Sequence, residues 1–229
     1  MSTFKKMFYP VIHCIETMDE RSYEHAIENI RIAMKNGADG VFLIGHHICY
    51  SSLCDIYEEV RMHVPDLWIG INFLDISFEK NWVRLSRKAD SCTKLNALWI
   101  DGMPNEKLFL PEKIQVFGGV AFKYMDPHLH GKDLEIACEE AIKLVDVVTT
   151  SGDSTGSAPD IFKLESIKKY LGDRAPLALA SGVNADNVLS FIDYVDIFLV
   201  ASSICERIPG RGEYLVPERV SELARLIHR

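Results

Sequence analysis

The sequence predicts an α/β fold closed into a barrel of eight strand–crossover units, and three observations carry the prediction. Eight short apolar runs recur along the 229 residues, each followed by a polar loop and then by a stretch of helical periodicity or a short connection. The runs are rich in Val, Ile, Leu and Phe and barely alternate with polar residues, as strands of a parallel sheet do when both faces are buried. No Gly-x-Gly-x-x-Gly follows the first run, which argues against a doubly wound dinucleotide-binding sheet. The expectation is therefore one (β/α)8 TIM barrel domain over residues 1–229, with no linker, low-complexity tract or composition shift dividing it.

The elements follow in order. The first run covers residues 9–15, and behind it residues 22–36 place Ala26, Ile30, Ala33 and Met34 on one face, with Gly37 as a helix stop. Runs at 40–44 and 67–73 are followed by amphipathic stretches at 53–63 and 78–89. After the fourth run, 97–100, residues 105–111 are too few for a normal helix. The fifth run, 114–122, ends against Lys123 and precedes a helix at 134–145. The sixth, 145–149, leads through Pro159-Asp160 into a helix at 161–171. The seventh, 177–180, leaves room for one or two turns near 187–192, and the eighth, 197–201, precedes a helix at 217–227 opened by Pro217.

Composition narrows the function. Lys and Arg number 25 against 33 Asp and Glu, a formal charge of −8. No basic stripe is present, so neither a nucleic acid polymer nor an anionic membrane is expected as partner. The apolar stretches fall far short of the ~20 residues a membrane span needs. The opening residues break at Pro10 and His13 rather than forming a signal peptide, so a cytoplasmic protein is expected. The six cysteines (Cys14, Cys49, Cys54, Cys92, Cys138 and Cys205) form no CxxC pair and read as thiols. His46, His47, Cys49 and Cys54 match no zinc ligand spacing, and no metal or cofactor is expected.

A barrel builds its site from the loops at the carboxyl ends of the strands. Polar residues stationed there are His13 with Glu16; His46 and His47; Asn72 with Asp75; Asp101; Lys123; Thr150, Ser151, Gly152 and Asp153; Ser181; and Ser202 with Ser203. Any one of them also serves as a helix cap or loop anchor; as a convergent set they point to a site. Ser181-Gly182-Val183 and Ala201-Ser202-Ser203 follow the last two runs. Small residues there let backbone N–H groups meet a phosphate, with the last helix N-terminus behind them; the competing reading is a turn glycine and a serine cap. The hydroxyl-rich sixth loop, 149–157, reads as a phosphate- or sugar-binding lid or as a plain surface loop. Lys123 reads as a cation for a negative group or, if desolvated, a Schiff-base nucleophile. His13 reads as an acid–base group or a hydrogen-bonded histidine, and Asp153 as a second proton carrier.

Several segments resemble the BtpA/SgcQ family, barrel proteins related to the ribulose-phosphate-binding barrels. They are Val11-Ile12-His13, Gly70-Ile71-Asn72-Phe73-Leu74, residues 116–123, Asp146-Val147-Val148-Thr149-Thr150-Ser151-Gly152, residues 181–188 and residues 196–203. The resemblance runs from the first strand to the last and implies the barrel with an anion pocket on its rim; it implies no particular reaction. This chain departs from the family in the loop after His13, Cys14-Ile15-Glu16-Thr17, where the family has a proline-rich loop; at Ile44-Gly45-His46-His47, where it has an acidic-Asn loop; and at Gly119 and Ala121, where it often has Asp and His.

Two functions are thus expected. The first is an enzyme, of lyase, isomerase or glycosyl-transfer class, acting on a small phosphorylated metabolite such as a sugar phosphate or nucleotide-like molecule. The phosphate would lie on Gly182, Ser202 and Ser203, with Asn72, Asp101, Lys123 and His13 or Asp153 at the reacting end. The second is a non-catalytic ligand-binding barrel that assists assembly or regulation of another complex. Association into a homo-oligomer fits either.

Overall fold

The computed structural model describes residues 4–15, 21–45, 48, 50–73, 94–111 and 113–229. Eight parallel strands close into a barrel in sequence order: β1 (Met7–Cys14), β2 (Val41–Gly45), β3 (Ile69–Asn72), β4 (Ala97–Ile100), β5 (Gln115–Gly119), β6 (Val147–Thr150), β7 (Leu177–Leu179) and β8 (Ile197–Val200). The ring is sealed where β1 pairs with β8 through Phe8↔Phe198 and Tyr9↔Leu199. Each of the eight expected runs overlaps its strand, with ends displaced by up to three residues.

The described helices are α1 (Arg21–Lys35), α2 (Tyr50–His63), α3 (Gly131–Leu144), α4 (Ile161–Leu171), the single turn α5 (Val188–Phe191) and α6 (Pro217–Ile227). Their boundaries follow the expected signals. Gly37 ends α1 at φ 92°, Asp160 caps α4 by accepting from the Phe162 N–H, and Pro217 opens α6. The expected helix at 78–89 lies outside the described residues, as do Glu16, His46, His47, Cys49, Asp75 and Cys92. Among the described residues no helix is long and apolar enough to cross a membrane.

Alternation along the strands sorts two cores. Residues facing outward, such as Ile12, Leu43, Ile71 and Val148, pack with helical residues including Ala26, Ile30, Tyr57 and Leu164. Residues facing the barrel axis form a second cluster of Tyr9, Val11, Phe42, Ile44, Trp99, Phe117 and their neighbours. Large and small side chains are complementary there. Phe42 meets Trp99 and Phe117 edge-on at 5.6 and 5.2 Å, and a Cβ on Gly70 would lie 2.2 Å from the Phe42 ring. Any larger residue at 70 would displace that ring from a close-packed interior.

Two expectations are corrected. Strand five stops at Gly119, and Lys123 belongs to the turn beyond it. At its end the chain runs so close to the residue after β4 that a Cβ on Gly119 would lie 1.8 Å from the Asp101 carbonyl oxygen. The final helix also does not follow Ser202 and Ser203 directly. These residues open one 3₁₀ turn (Ser202–Ile204), after which the chain forms a hairpin, β9 (Cys205–Ile208) and β10 (Gly212–Leu215), before α6. The helix N-terminus expected behind the anion pocket is therefore not there. The hairpin turns at Pro209-Gly210-Arg211-Gly212, with Gly210 and Gly212 at φ 74° and 98°, a conformation in which glycine avoids a Cβ clash.

Candidate active site at the barrel mouth

A cavity of about 510 Å³ opens at the carboxyl ends of the strands. Its floor is apolar, made of Val11, Ile44, Trp99, Ala180 and Leu199 from the barrel core. Trp99 is 5% exposed, and its indole N–H has no acceptor among the described residues. Around the rim stand His13, Asp101 and Lys123, then Ser181 and Gly182, then Ser202 and Ser203. Seven of the residues singled out in the sequence thus share one cavity.

Asp101 projects from just beyond β4. Burial raises its pKa above the ordinary carboxylate value, while a hydrogen bond from the Asn72 side chain and the charge of Lys123 oppose that rise. The Asn72 amide donates to the Asp101 Oδ1 at 2.9 Å. Asn72 itself is buried (1% exposed) and acts on the cavity through Asp101. His13 is the penultimate residue of β1, and its Nδ1 lies 2.6 Å from a Glu213 carboxylate oxygen.

Lys123 rides on a loop with unusual backbone. Ala121, Tyr124 and Asp126 have φ of 47°, 64° and 49°, values L-residues adopt only when surrounding structure imposes them. Two contacts impose them here. The Ser151 hydroxyl accepts the Lys123 backbone N–H at 2.7 Å. The Lys163 ammonium, from α4, donates to the carbonyls of Ala121, Pro127 and Ser151 at 2.5, 3.0 and 2.8 Å. Burial lowers the Lys163 pKa to about 8, against an opposing pull from Asp153. The two lysines divide the loop between them: Lys123 lines the cavity with its ammonium 5.6 Å from the Phe122 ring centre, and Lys163 fastens the loop from below.

Loops six and seven interlock. The Ser181 hydroxyl accepts the Gly152 N–H at 2.9 Å and donates to the Ser157 carbonyl at 3.0 Å. Cβ atoms on Gly152 and Gly182 would each lie 2.1 Å from backbone atoms of Ser157 and Ala158. Gly182, at φ 68°, thus allows loop seven to touch loop six, besides lining the cavity. The Ser203 hydroxyl donates to the Val183 carbonyl at 2.6 Å and ties loop eight to loop seven. The Gly182 and Val183 N–H groups donate to no acceptor among the described residues.

The remaining expected residues lie elsewhere. Thr150 and Ser151 are fully buried, with the Thr150 hydroxyl 3.4 Å from the Ala121 carbonyl, and Gly152 lies in the interlock. Asp153 does not join the rim set: its side chain is 65% exposed and lies 3.8 Å from His128. Its loop carries it past the mouth, and Thr155 and Gly156 line the cavity instead. Cys54, from the cysteine and histidine group, is buried in the core. Glu213, Lys163, Tyr124 and Trp99 were not singled out in the sequence. The turn signal at 209–212 was the one readable hint of the hairpin that carries Glu213.

Comparison with known proteins agrees with this architecture. The family model for the BtpA family matches residues 102–229, more than half of the chain. An uncharacterized protein of Pyrococcus horikoshii is 32% identical over 120 residues, covering 52% of this chain and 44% of that one; the chain spans less than half the length of this relative. Among solved structures, the tryptophan synthase alpha chain of Legionella pneumophila superposes with a TM-score of 0.64 at 10% identity, covering 97% of this chain and 92% of that one. Thiamine phosphate pyrophosphorylase of Pyrococcus furiosus gives 0.60 at 16% identity, covering 97% and 95%. Orotidine 5'-monophosphate decarboxylase of Methanocaldococcus jannaschii gives 0.59 at 12% identity, covering 99% and 100%. At these identities the likeness concerns the fold.

Proposed function

The chain belongs to the BtpA family, and we propose that its barrel mouth binds a small phosphorylated metabolite, a sugar phosphate or nucleotide-like molecule, and acts on it as an enzyme. The observation that carries this reading is the division of the rim. On one side loops seven and eight offer Gly182, Val183, Ser202 and Ser203, with the two amides of loop seven donating to no acceptor among the described residues. On the other stand a cation, Lys123, a carboxylate held by Asn72, Asp101, and an imidazole, His13.

The phosphate lies on the loop-seven and loop-eight backbone, where N–H donors favour an anion. Lys123 balances negative charge at the other end of the ligand. Asp101 orients a hydroxyl or N–H of the ligand, and His13 moves the proton. The apolar floor excludes water beneath the reacting atoms and strengthens these interactions.

Thermal unfolding with inorganic phosphate, ribose 5-phosphate and a panel of nucleoside monophosphates tests the reading. A ligand present at a hundred times its Kd adds about 2.7 kcal/mol of stability. At least one phosphorylated compound is expected to stabilise the wild type and to lose that effect in Lys123→Met. No stabilisation by any of them rejects the proposal. Phe109, Tyr124 and Phe162, at 96%, 74% and 75% exposure, favour the second reading, a non-catalytic barrel that docks on another protein. Turnover of a bound compound excludes that reading.

A further inference from the structure

The hairpin between β8 and α6 is held in place by an unusual set of buried polar groups. His25 and Asn29, on α1, are 2% and 1% exposed. Both face β10. The His25 Nε2 lies 2.7 Å from the Glu213 carbonyl oxygen, and burial lowers its pKa. As a neutral ring it donates that bond from Nε2–H. The Asn29 Oδ1 accepts the Leu215 N–H at 2.7 Å, and its Nδ2 donates to the Glu213 carbonyl at 3.3 Å. The Tyr214 ring meets His25 edge-on at 4.7 Å. Gly212 lies so close that a Cβ there would be 3.2 Å from the His25 Nε2. The backbone on both sides of Glu213 is therefore fixed to α1. Its side chain then places a carboxylate oxygen 2.6 Å from the His13 Nδ1, at the wall of the cavity.

We propose that Glu213 is the positioning carboxylate of His13, fixing the rotation and tautomer of the ring so that the two residues form the acid–base unit of the mouth. A carboxylate accepts only, so the neutral imidazole carries its proton on Nδ1 and its lone pair on Nε2. When the ring takes a proton at Nε2 from a ligand atom, the resulting imidazolium lies against an ionised carboxylate, and Glu213 itself stays unprotonated. Returning the proton from Nε2 restores the starting pair. The same logic recurs where a third group orients a catalytic base. The inference rests on the reading that the mouth binds a ligand, with His13 at the reacting end.

Side-chain nitrogen NMR tests it without needing the substrate. Two-bond proton–nitrogen spectra are recorded over a rising pH series until the His13 nitrogen signals stop moving, and His13 is assigned by its loss in His13→Asn. The wild type is expected to show Nδ1 protonated and Nε2 bare. Glu213→Ala is expected to shift the ring toward the Nε2–H form, while the His25 signals stay in place. Nε2–H in the wild type overturns the proposal whether or not the variant folds, and so does an unchanged tautomer in a folded Glu213→Ala. Calorimetry with ribose 5-phosphate and the nucleoside monophosphates separates the two readings. If none binds the wild type, the ligand reading fails while the tautomer result stands. If one binds and the tautomer result fails, Glu213 loses its role and the cavity keeps its ligand.

Discussion

Two sides of the same mouth use polar residues in opposite ways. On the side of loops six and seven, the Ser151, Ser181 and Ser203 hydroxyls bond to backbone groups of neighbouring loops, and Gly152 and Gly182 permit contacts that a Cβ would forbid. On the side of β1, β4 and the fifth loop, His13, Asp101 and Lys123 line the cavity, each steadied by a residue outside it or below it. The first side is an interlocked frame whose residues line the cavity, and the second is a set of titratable groups. Substitutions on the frame should therefore act on stability and phosphate affinity, and those on the titratable side on protonation.

The sharpest test of this division is Ser202→Asp. A carboxylate there would stand about 4 Å from a bound phosphate, which costs about 4 kcal/mol at an effective dielectric near 20. Affinity for a phosphorylated ligand should fall close to a thousandfold in calorimetry; equal affinities place the phosphate elsewhere. Gly182→Val should come next. Its Cβ meets the Ala158 amide nitrogen at 2.1 Å and it sits at φ 68°, so loops six and seven must separate. Overpacking and backbone strain together cost about 3 kcal/mol in urea unfolding. A loss under about 1 kcal/mol would break the idea of an interlocked frame.

Lys163→Met leaves three carbonyls without their ammonium and should cost about 2 kcal/mol at neutral pH. Its pH dependence has a definite sign. The folded Lys163 titrates at about 8, below its ordinary value of 10.5, so between those values the unfolded chain holds the extra proton. Stability contributed through Lys163 therefore rises with pH across that window. The melting-temperature gap between wild type and Lys163→Met should widen from pH 8 to pH 10; a constant gap would mean that Lys163 does not titrate there. Asn72→Ala should have the smallest effect, about 1 kcal/mol. It removes the bond that opposes burial at Asp101, so the carboxyl should titrate higher in carbon NMR. A shift downward, or none, would detach Asn72 from the titratable side.

The barrel was legible because burial on both faces leaves a plain mark on each strand, an apolar run with almost no alternation, in Val41–Gly45 and Ile197–Val200 alike. The candidate site was legible by position: His13 near the end of its strand, and Asp101, Ser181 and Ser202 just beyond theirs, reach the cavity. What composition could not reveal is where a hydroxyl bonds. Ser181 and Ser202 are the same residue at equivalent places, yet the Ser181 hydroxyl bonds to a carbonyl 24 residues earlier. Asp153 looked like Asp101 in sequence, but its loop turns it to solvent. Glu213 was hidden for the same reason at greater range, since its imidazole partner lies 200 residues away.

That separation bears on how the molecule is made. Contacts between residues 25–29 and 213–215 join near-opposite ends of the chain, and closing such a loop is entropically slow compared with forming any neighbouring strand–helix unit. The pairing of β1 with β8 joins equally distant parts of the chain. A folding intermediate with the middle strands assembled would already hold Asp101 and Lys123 near each other, but not the His13–Glu213 pair. The His13–Glu213 contact is thus acquired only with ring closure.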